Sequence, residues 1–379
     1  MREIGLYLHF PFCVRKCLYC DFLSAPSTEE VKKIYAAALI REIRGYREAA
    51  ADCVVTSVFL GGGTPSIMPV MNMREVFRAL YDSFRIAEDA EITMEVNPGT
   101  VNETNLSLIF DYVNRVSVGV ESASDEELAR LGRIHSFADA VRSIGLLRQS
   151  GVKNLNVDLM SGIPGQTAAS WEKTLKEVTA LQPEHISAYS LIVEDGTPFR
   201  DMQKAGKLSL PDEETERRMY ALTRELLHDA GYRQYEFSNY AKPGYACRHN
   251  LRYWKRGEYL GLGLGASSLF GGSRWKNTEH LEKYFEDSAD PGKLIREMEQ
   301  LDKRAEIEEY MFLGLRMTDG ISEEEFLSTF GVPVSDIYGE VIKRHIEDGM
   351  LEAAPCGRYR LTPRGIDVSN VVLADFLFE

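Results

Sequence analysis

Apolar positions in the first half of the chain fall into short runs separated by longer segments with helical spacing. The runs at 4–10, 54–61, 90–97, 115–121, 154–159 and 185–192 are rich in β-branched and aromatic residues and read as strands. Between them, 29–44, 71–83, 137–149 and 170–181 carry apolar stripes at helical spacing. Ser27 and Thr28, ahead of Glu29 and Glu30, supply N-terminal capping groups for the first of these helices. Strands that alternate with helices of this length build parallel βαβ units. Six such units fall short of the eight of a closed barrel, so the expected fold is α/β, a partial, open (βα)6 barrel.

The pattern changes after residue 210. A helix is expected over 212–230 and a strand over 232–240, followed by a stretch, 243–268, rich in glycine, aromatic and basic residues. Helical segments at 301–315, 322–329 and 337–348 precede a short hairpin near Arg358. Ser322 and Glu325 have capping-box spacing. That order suggests a smaller, mainly helical C-terminal domain of winged-helix type. It lacks a basic recognition helix, so packing or partner contact is expected of it rather than DNA reading. The expected division is a barrel over 1–231, a linking segment over 232–290 and a C-terminal domain over 291–379.

Charge narrows the partners. With 44 basic and 58 acidic side chains the formal net charge is −14, against a general nucleic-acid binder. No run of about eighteen apolar residues is present, so no membrane span is expected, and the N-terminus lacks a signal-peptide pattern. Six cysteines, three of them in one triplet, do not make a secreted disulfide framework. A reducing, cytoplasmic setting fits them.

The triplet itself, Cys13-x3-Cys17-x2-Cys20, follows the first strand. A structural zinc site takes four protein ligands, and a [4Fe–4S] cube has four irons. Three thiolates on one loop leave one iron of a cube open to a ligand, and the spacing favours that cluster over zinc. A zinc site would need a fourth ligand, and His9 is nearest. Other polar and glycine-rich positions collect at the ends of the expected strands: Gly61-Gly62-Gly63-Thr64, Glu95, Glu121 and Asp158. Parallel α/β folds place their sites at that edge.

The segment Tyr7-x-His9-x-Pro11-Phe12-Cys13-x3-Cys17-x-Tyr19-Cys20 resembles the opening of the radical S-adenosylmethionine superfamily. The resemblance extends over essentially the whole chain, towards the branch that holds anaerobic coproporphyrinogen dehydrogenases and haem chaperones. It implies a [4Fe–4S] cluster on Cys13, Cys17 and Cys20. The amino and carboxylate groups of S-adenosylmethionine would bind the fourth iron, where electron transfer can cleave the sulfonium. Gly62, Gly63 and Thr64 resemble the glycine motif beside the methionine amino group, and Glu95 the carboxylate beside the nucleoside. Arg133 resembles an arginine for the methionine carboxylate, and Asp158 a further acid of the pocket. Tyr7 and Tyr19 would flank cluster and cofactor. Glu121 departs from the family's usual glutamine, which puts that contact in question.

His249-Asn250-Leu251-Arg252-Tyr253-Trp254 resembles an HNxxYW motif of the same branch. It implies haem binding with His249 as the favoured ligand and Cys247 as a weaker candidate. Lys242, Arg248, Arg252, Lys255 and Arg256 would be available to the propionates. Phe22 stands where the dehydrogenases carry a further cysteine, which points to the chaperones. The expected partners are haem, acceptor haemoproteins of the respiratory type at the membrane face, and a second copy of the chain as a homodimer. The alternatives are a radical coproporphyrinogen oxidase and a cluster-bearing interaction protein that docks a partner through the basic aromatic loop.

Overall fold

The computed structural model of the chain describes residues 1–378. Six strands, β1 (Arg2–Phe10), β2 (Cys53–Gly62), β3 (Ile86–Val96), β4 (Arg115–Glu121), β5 (Leu155–Ser161) and β6 (His185–Ser190), pair in chain order, all parallel. The helices that return the chain are α1 (Glu29–Gly45), α2 (Val70–Ser83), α3 (Glu103–Tyr112), α4 (Asp125–Leu131), α5 (Phe137–Gln149) and α6 (Ala168–Ala180). The expected strand and helix positions hold, while α3 and α4 are additions. Thr28, Ser124, Ser136 and Thr167 each accept a backbone N–H at a helix start, which fixes where the connecting loops end.

Alternation along the strands sorts the side chains. Leu6, Leu60, Met94, Val118 and Val157 are buried against the helices. On the opposite, concave face the buried side chains are polar: Ser57, Glu91, Thr93, Arg115, Ser117 and Asn156. The sheet curls far enough for the loop after β1 to meet the segment beyond β6. Leu18, in the loop after β1, accepts a hydrogen bond from the Phe199 N–H, beyond β6, at 3.1 Å.

The segment 232–290 does not stand apart as a link. It and the residues up to 300 extend both edges of the same sheet. The helix α7 (Pro198–Lys204) and α8 (Glu213–Asp229) lead into β7 (Arg233–Gln234) and β8 (Asn239–Ala241), an antiparallel pair that covers the β6 edge. The expected strand 232–240 is thus a hairpin. After α9 (Arg248–Trp254) the chain crosses to the other edge. There β9 (Tyr259–Leu262) runs parallel to β1, and β10 (Ser267–Phe270), β11 (Ser273–Asn277) and β12 (Ile295–Gln300) continue the sheet antiparallel. The order of the twelve strands is β12-β11-β10-β9-β1-β2-β3-β4-β5-β6-β8-β7.

A second core, built on Met311, Phe326, Phe330, Tyr338 and Phe376, begins only at Ile307. Helices Lys303–Gly314, Glu323–Phe330 and Val334–Glu347 pack beside a three-stranded antiparallel sheet, the winged-helix arrangement expected, with two short helices following. Glu309, buried, holds this domain to the sheet through Arg256 at 2.8 Å and Arg274 at 2.5 Å.

The β9 extension is tied to the barrel by one buried acid. Glu42 of α1 accepts from the Gly263 N–H at 2.8 Å, the Asn277 amide at 2.7 Å and the Tyr284 hydroxyl at 2.6 Å. Glu42→Leu removes the shared acceptor of three buried donors, of which the Asn277 amide keeps a bond to Gly263 O at 3.0 Å. Chemical unfolding is expected to show a loss of about 3 kcal/mol or more; a loss below about 1 kcal/mol would refute the role given to this acid.

Candidate functional site

The cysteine loop lies across the C-terminal ends of the strands and is pinned from several sides. The Cys13 N–H reaches Ala25 O at 3.1 Å, the Leu18 N–H reaches Leu131 O at 3.0 Å, and Lys16 Nζ reaches Phe22 O at 2.9 Å. Gly63 and Thr64 continue the β1–β2 pairing, donating to Phe10 O at 2.8 Å and Phe12 O at 2.7 Å. The glycines have a local reason. A Cβ on Gly63 would stand 2.7 Å from Phe10 O, and Gly62 (φ +103°) lies against the His9 ring. Close approach to the end of β1 therefore accounts for them on its own.

Cys13, Cys17 and Cys20 are free thiols that line one cavity of about 370 Å³ together with Tyr19, Gly62, Gly63, Glu95, Glu121, Arg133 and Asp158. Tyr7 lies in an adjoining cavity that shares Gly62 and Glu95. Thr64 is buried behind Cys13, 3.6 Å from its sulfur. Ten of the residues singled out as the cluster and cofactor site therefore share a single cavity, and Tyr7 and Thr64 border it. His9 is no fourth ligand, since its ring nitrogens meet Tyr7 OH at 3.1 Å and Leu23 O at 2.8 Å. Among the described residues no three His, Cys, Asp or Glu side chains converge on a single-ion site. A mononuclear zinc site requires that convergence. A cube does not, because each thiolate binds a different iron. The donor set thus fits a [4Fe–4S] cluster.

Arg133 organises the wall. It donates to Asn97 Oδ1 at 2.8 Å and to Gly119 O, and lies 3.6 Å from Cys17 Sγ and 3.4 Å from Glu121 Oε1. Its Nε is buried without a partner among the described residues. Glu121, with φ +67°, also accepts from Tyr19 OH at 3.2 Å. The acid at this departure from the family pattern is therefore balanced within the chain. Burial pushes its carboxyl up, opposed by Arg133. Burial likewise raises the Cys17 and Cys20 thiols, while Arg133 pulls Cys17 down. Asp158 is held by Ser117 at 2.7 Å and Asn156 at 2.8 Å.

Sequence reading missed Asn97, which joins Arg133 to Thr64 Oγ1 at 2.7 Å. It missed the Ser190–Ile192 wall as well. Asn97 was marked only by its place at the end of β3; the wall has no signal of its own.

His249 is placed differently from expectation. It is 1% exposed, at the opposite end of the same concave face. Its Nδ1 meets Ser57 Oγ at 2.9 Å, its Nε2 meets Tyr253 OH at 2.8 Å, and Phe59 stacks on it at 5.3 Å. Burial, with Arg252 and Arg115 nearby, pushes its pKa down to about 3. Neither ring nitrogen is open to iron here. Cys247 is buried too and donates to Glu91, which also caps the Arg248 and His249 N–H groups. The basic side chains are largely used within the chain: Arg248 pairs with Asp89, Arg252 binds Thr56, and Arg256 pairs with Glu306 and Glu309.

Known proteins are similar to this chain in sequence and fold. Residues 7–178 match the Radical SAM superfamily and residues 301–368 the HemN C-terminal domain. The heme chaperone HemW of Lactococcus lactis is 33% identical over 98% of this chain and 97% of its own length. That of Escherichia coli K12 is 34% identical over 100% and 99%. The chain belongs to the HemW family of radical SAM proteins. Its fold is that of the coproporphyrinogen III oxidase HemN of Escherichia coli, a radical SAM enzyme, with a TM-score of 0.85 at 22% identity over 99% of this chain and 90% of that one. No helix among the described residues is long and apolar enough to cross a membrane.

Glu95 offers a test of the site's electrostatics. Burial first, then Asp158, pushes its carboxyl up to about 8 from an ordinary 4.5. The unfolded chain ionises first as pH rises, so this group costs stability increasingly from pH 4.5 towards 8. Glu95→Gln removes that cost. The melting temperature of the metal-free variant is expected to exceed that of the wild type at pH 8 and to equal it near pH 4.5; parallel profiles in thermal melts would contradict the assignment.

Proposed function

We propose that this chain is a haem chaperone that carries a [4Fe–4S] cluster with S-adenosylmethionine and delivers haem to acceptor haemoproteins. The observation that carries the reading is the shared cavity: three free thiols on one loop face a buried arginine and three acids, in a chain related end to end to proteins named heme chaperone. Cys13, Cys17 and Cys20 would hold the cluster, whose open iron supplies a site for the amino and carboxylate groups of S-adenosylmethionine and a source of one electron. Arg133 is suited to that carboxylate by its planar fork of donors. Glu95, Asp158 and Glu121 present carboxyl oxygens as acceptors to a ligand that carries a sulfonium and an ammonium group. Tyr7, Tyr19, Gly62, Gly63 and Thr64 complete the surround. Phe22, 61% exposed beside the cluster loop, supports the chaperone over the dehydrogenase, which carries a cysteine there.

The same reading places the chain in the cytoplasm, in keeping with its six free cysteines, with respiratory haemoproteins at the membrane among the acceptors. Light scattering checks the homodimer that it expects.

Anaerobic reconstitution tests the core of the proposal. The wild type is expected to take up a [4Fe–4S] cluster and to show a Soret shift with haem, whereas Cys17→Ala is expected to lose the cluster. Haem affinity is expected to differ between the cluster-loaded and cluster-free protein; equal affinities would refute the coupling. Conversion of coproporphyrinogen to protoporphyrinogen with dithionite and S-adenosylmethionine would overturn the chaperone assignment.

A further inference from the structure

The HNxxYW helix has two faces, and only one is turned into the barrel. His249 and Arg252 close the concave face, where Arg252 reaches Glu3 O at 3.0 Å and Thr56. Asn250, Tyr253 and Trp254, at i, i+3 and i+4, instead line a second cavity of about 530 Å³. Its other walls are the end of β6, α8, the loop between β7 and β8, and the C-terminal domain. The volume lies within the range of ligand pockets, and apolar and aromatic surface predominates, as such pockets require.

One side chain in this cavity has the character of an anion receptor. Arg316, from the C-terminal domain, is clamped between two rings, with its guanidinium carbon 4.7 Å from the Phe237 centroid and 4.7 Å from that of Trp254. Among the described residues it has no ion pair, and its Nε is buried without a partner. The Trp254 indole N–H is likewise buried without an acceptor. Of the acids nearby, Glu236 is the one whose charge Arg316 offsets, and it already accepts from the Ser238 N–H at 3.0 Å and from Asn239. Glu216 and Asp367 complete the acidic lining, and Arg217, paired with Glu213, the basic. The clamp is held in place from both sides. Thr318 N donates to Tyr235 O at 3.0 Å, and Glu236 bridges to Met317. At the cavity mouth Ile192 is 68% exposed although apolar.

We propose that this second cavity is the haem site, with a propionate carboxylate on Arg316 and the porphyrin against the Tyr253, Trp254 and Phe237 rings. The inference rests on the haem-chaperone reading and gives that reading a location. It assigns the motif a different part from the one its histidine suggested: His249 fastens the helix to the barrel, and the opposite face of the helix meets the ligand. Tyr189, Ser190 and Ile192 line this cavity and the cysteine cavity alike, so a single strand end separates the two ligands.

The test is haem titration of the full-length, cluster-loaded protein, followed by the Soret band and by quenching of tryptophan fluorescence. Two variants probe the cavity: Arg316→Met keeps the stem between the rings and removes the charge, and Ile366→Trp fills the space from the C-terminal domain. Each is expected to weaken haem binding about tenfold or more, with the cluster absorbance unchanged. Metal-free protoporphyrin, which has the same carboxylates and no iron, is expected to compete. Wild-type affinity in both variants would overturn the site while leaving the chaperone reading intact, and so would failure of protoporphyrin to compete. Absence of haem binding by the wild type itself would instead overturn the chaperone reading.

Discussion

Six parallel strands curl but cannot close, and the rest of this molecule answers to that constraint. An open parallel sheet leaves two unpaired edges and a concave face with no core of its own. The edges are extended, by β8 and β7 beyond β6 and by β9 to β12 beyond β1. The concave face is filled with polar groups, most of them hydrogen-bonded, instead of a hydrophobic plug. One end takes the cysteine loop and the other takes α9. What would be a packing defect in a closed barrel becomes room for large ligands.

That polar interior is held by hydrogen bonds and one ion pair at short range. Arg133 lies against Glu121 and Cys17, Asp158 is held by Ser117 and Asn156, and Asn156 in turn meets His185 at 2.6 Å, which meets Tyr235 at 2.8 Å. In a poorly hydrated interior each of these groups is costly without its partner. The network therefore fixes the strand ends in one register, and ligand-facing atoms inherit that rigidity.

The six barrel strands and the cysteine loop were legible because both are local in sequence. Strand periodicity needs about six residues of context, and the cysteine loop needs eight. The pairing of β9 with β1 joins residues some 250 apart, and nothing within Tyr259–Leu262 announces it. The glycine and aromatic content of 243–268 suggested a ligand loop, whereas much of it is spent on sheet extension. His249 was the hardest residue to read. A histidine among aromatic and basic residues has the same local signature whether it faces a porphyrin or the inside of a barrel, and only Ser57, Phe59 and Glu91, from two distant strands, decide between them.

The position of β1 also bears on how the chain is made. Its β2 neighbour follows within some fifty residues, but β9 completes its other side only when Leu262 has been synthesised. At about 5–20 residues per second, the first strand of a nascent chain waits on the order of tens of seconds with one edge bare. During that time the cysteine loop is already outside the ribosome, while Glu42 of α1 has none of Gly263, Asn277 and Tyr284 to hold. The same long-range strand that completes the sheet is thus among the last parts of it to be made, and until then one edge of β1 is without its native cover.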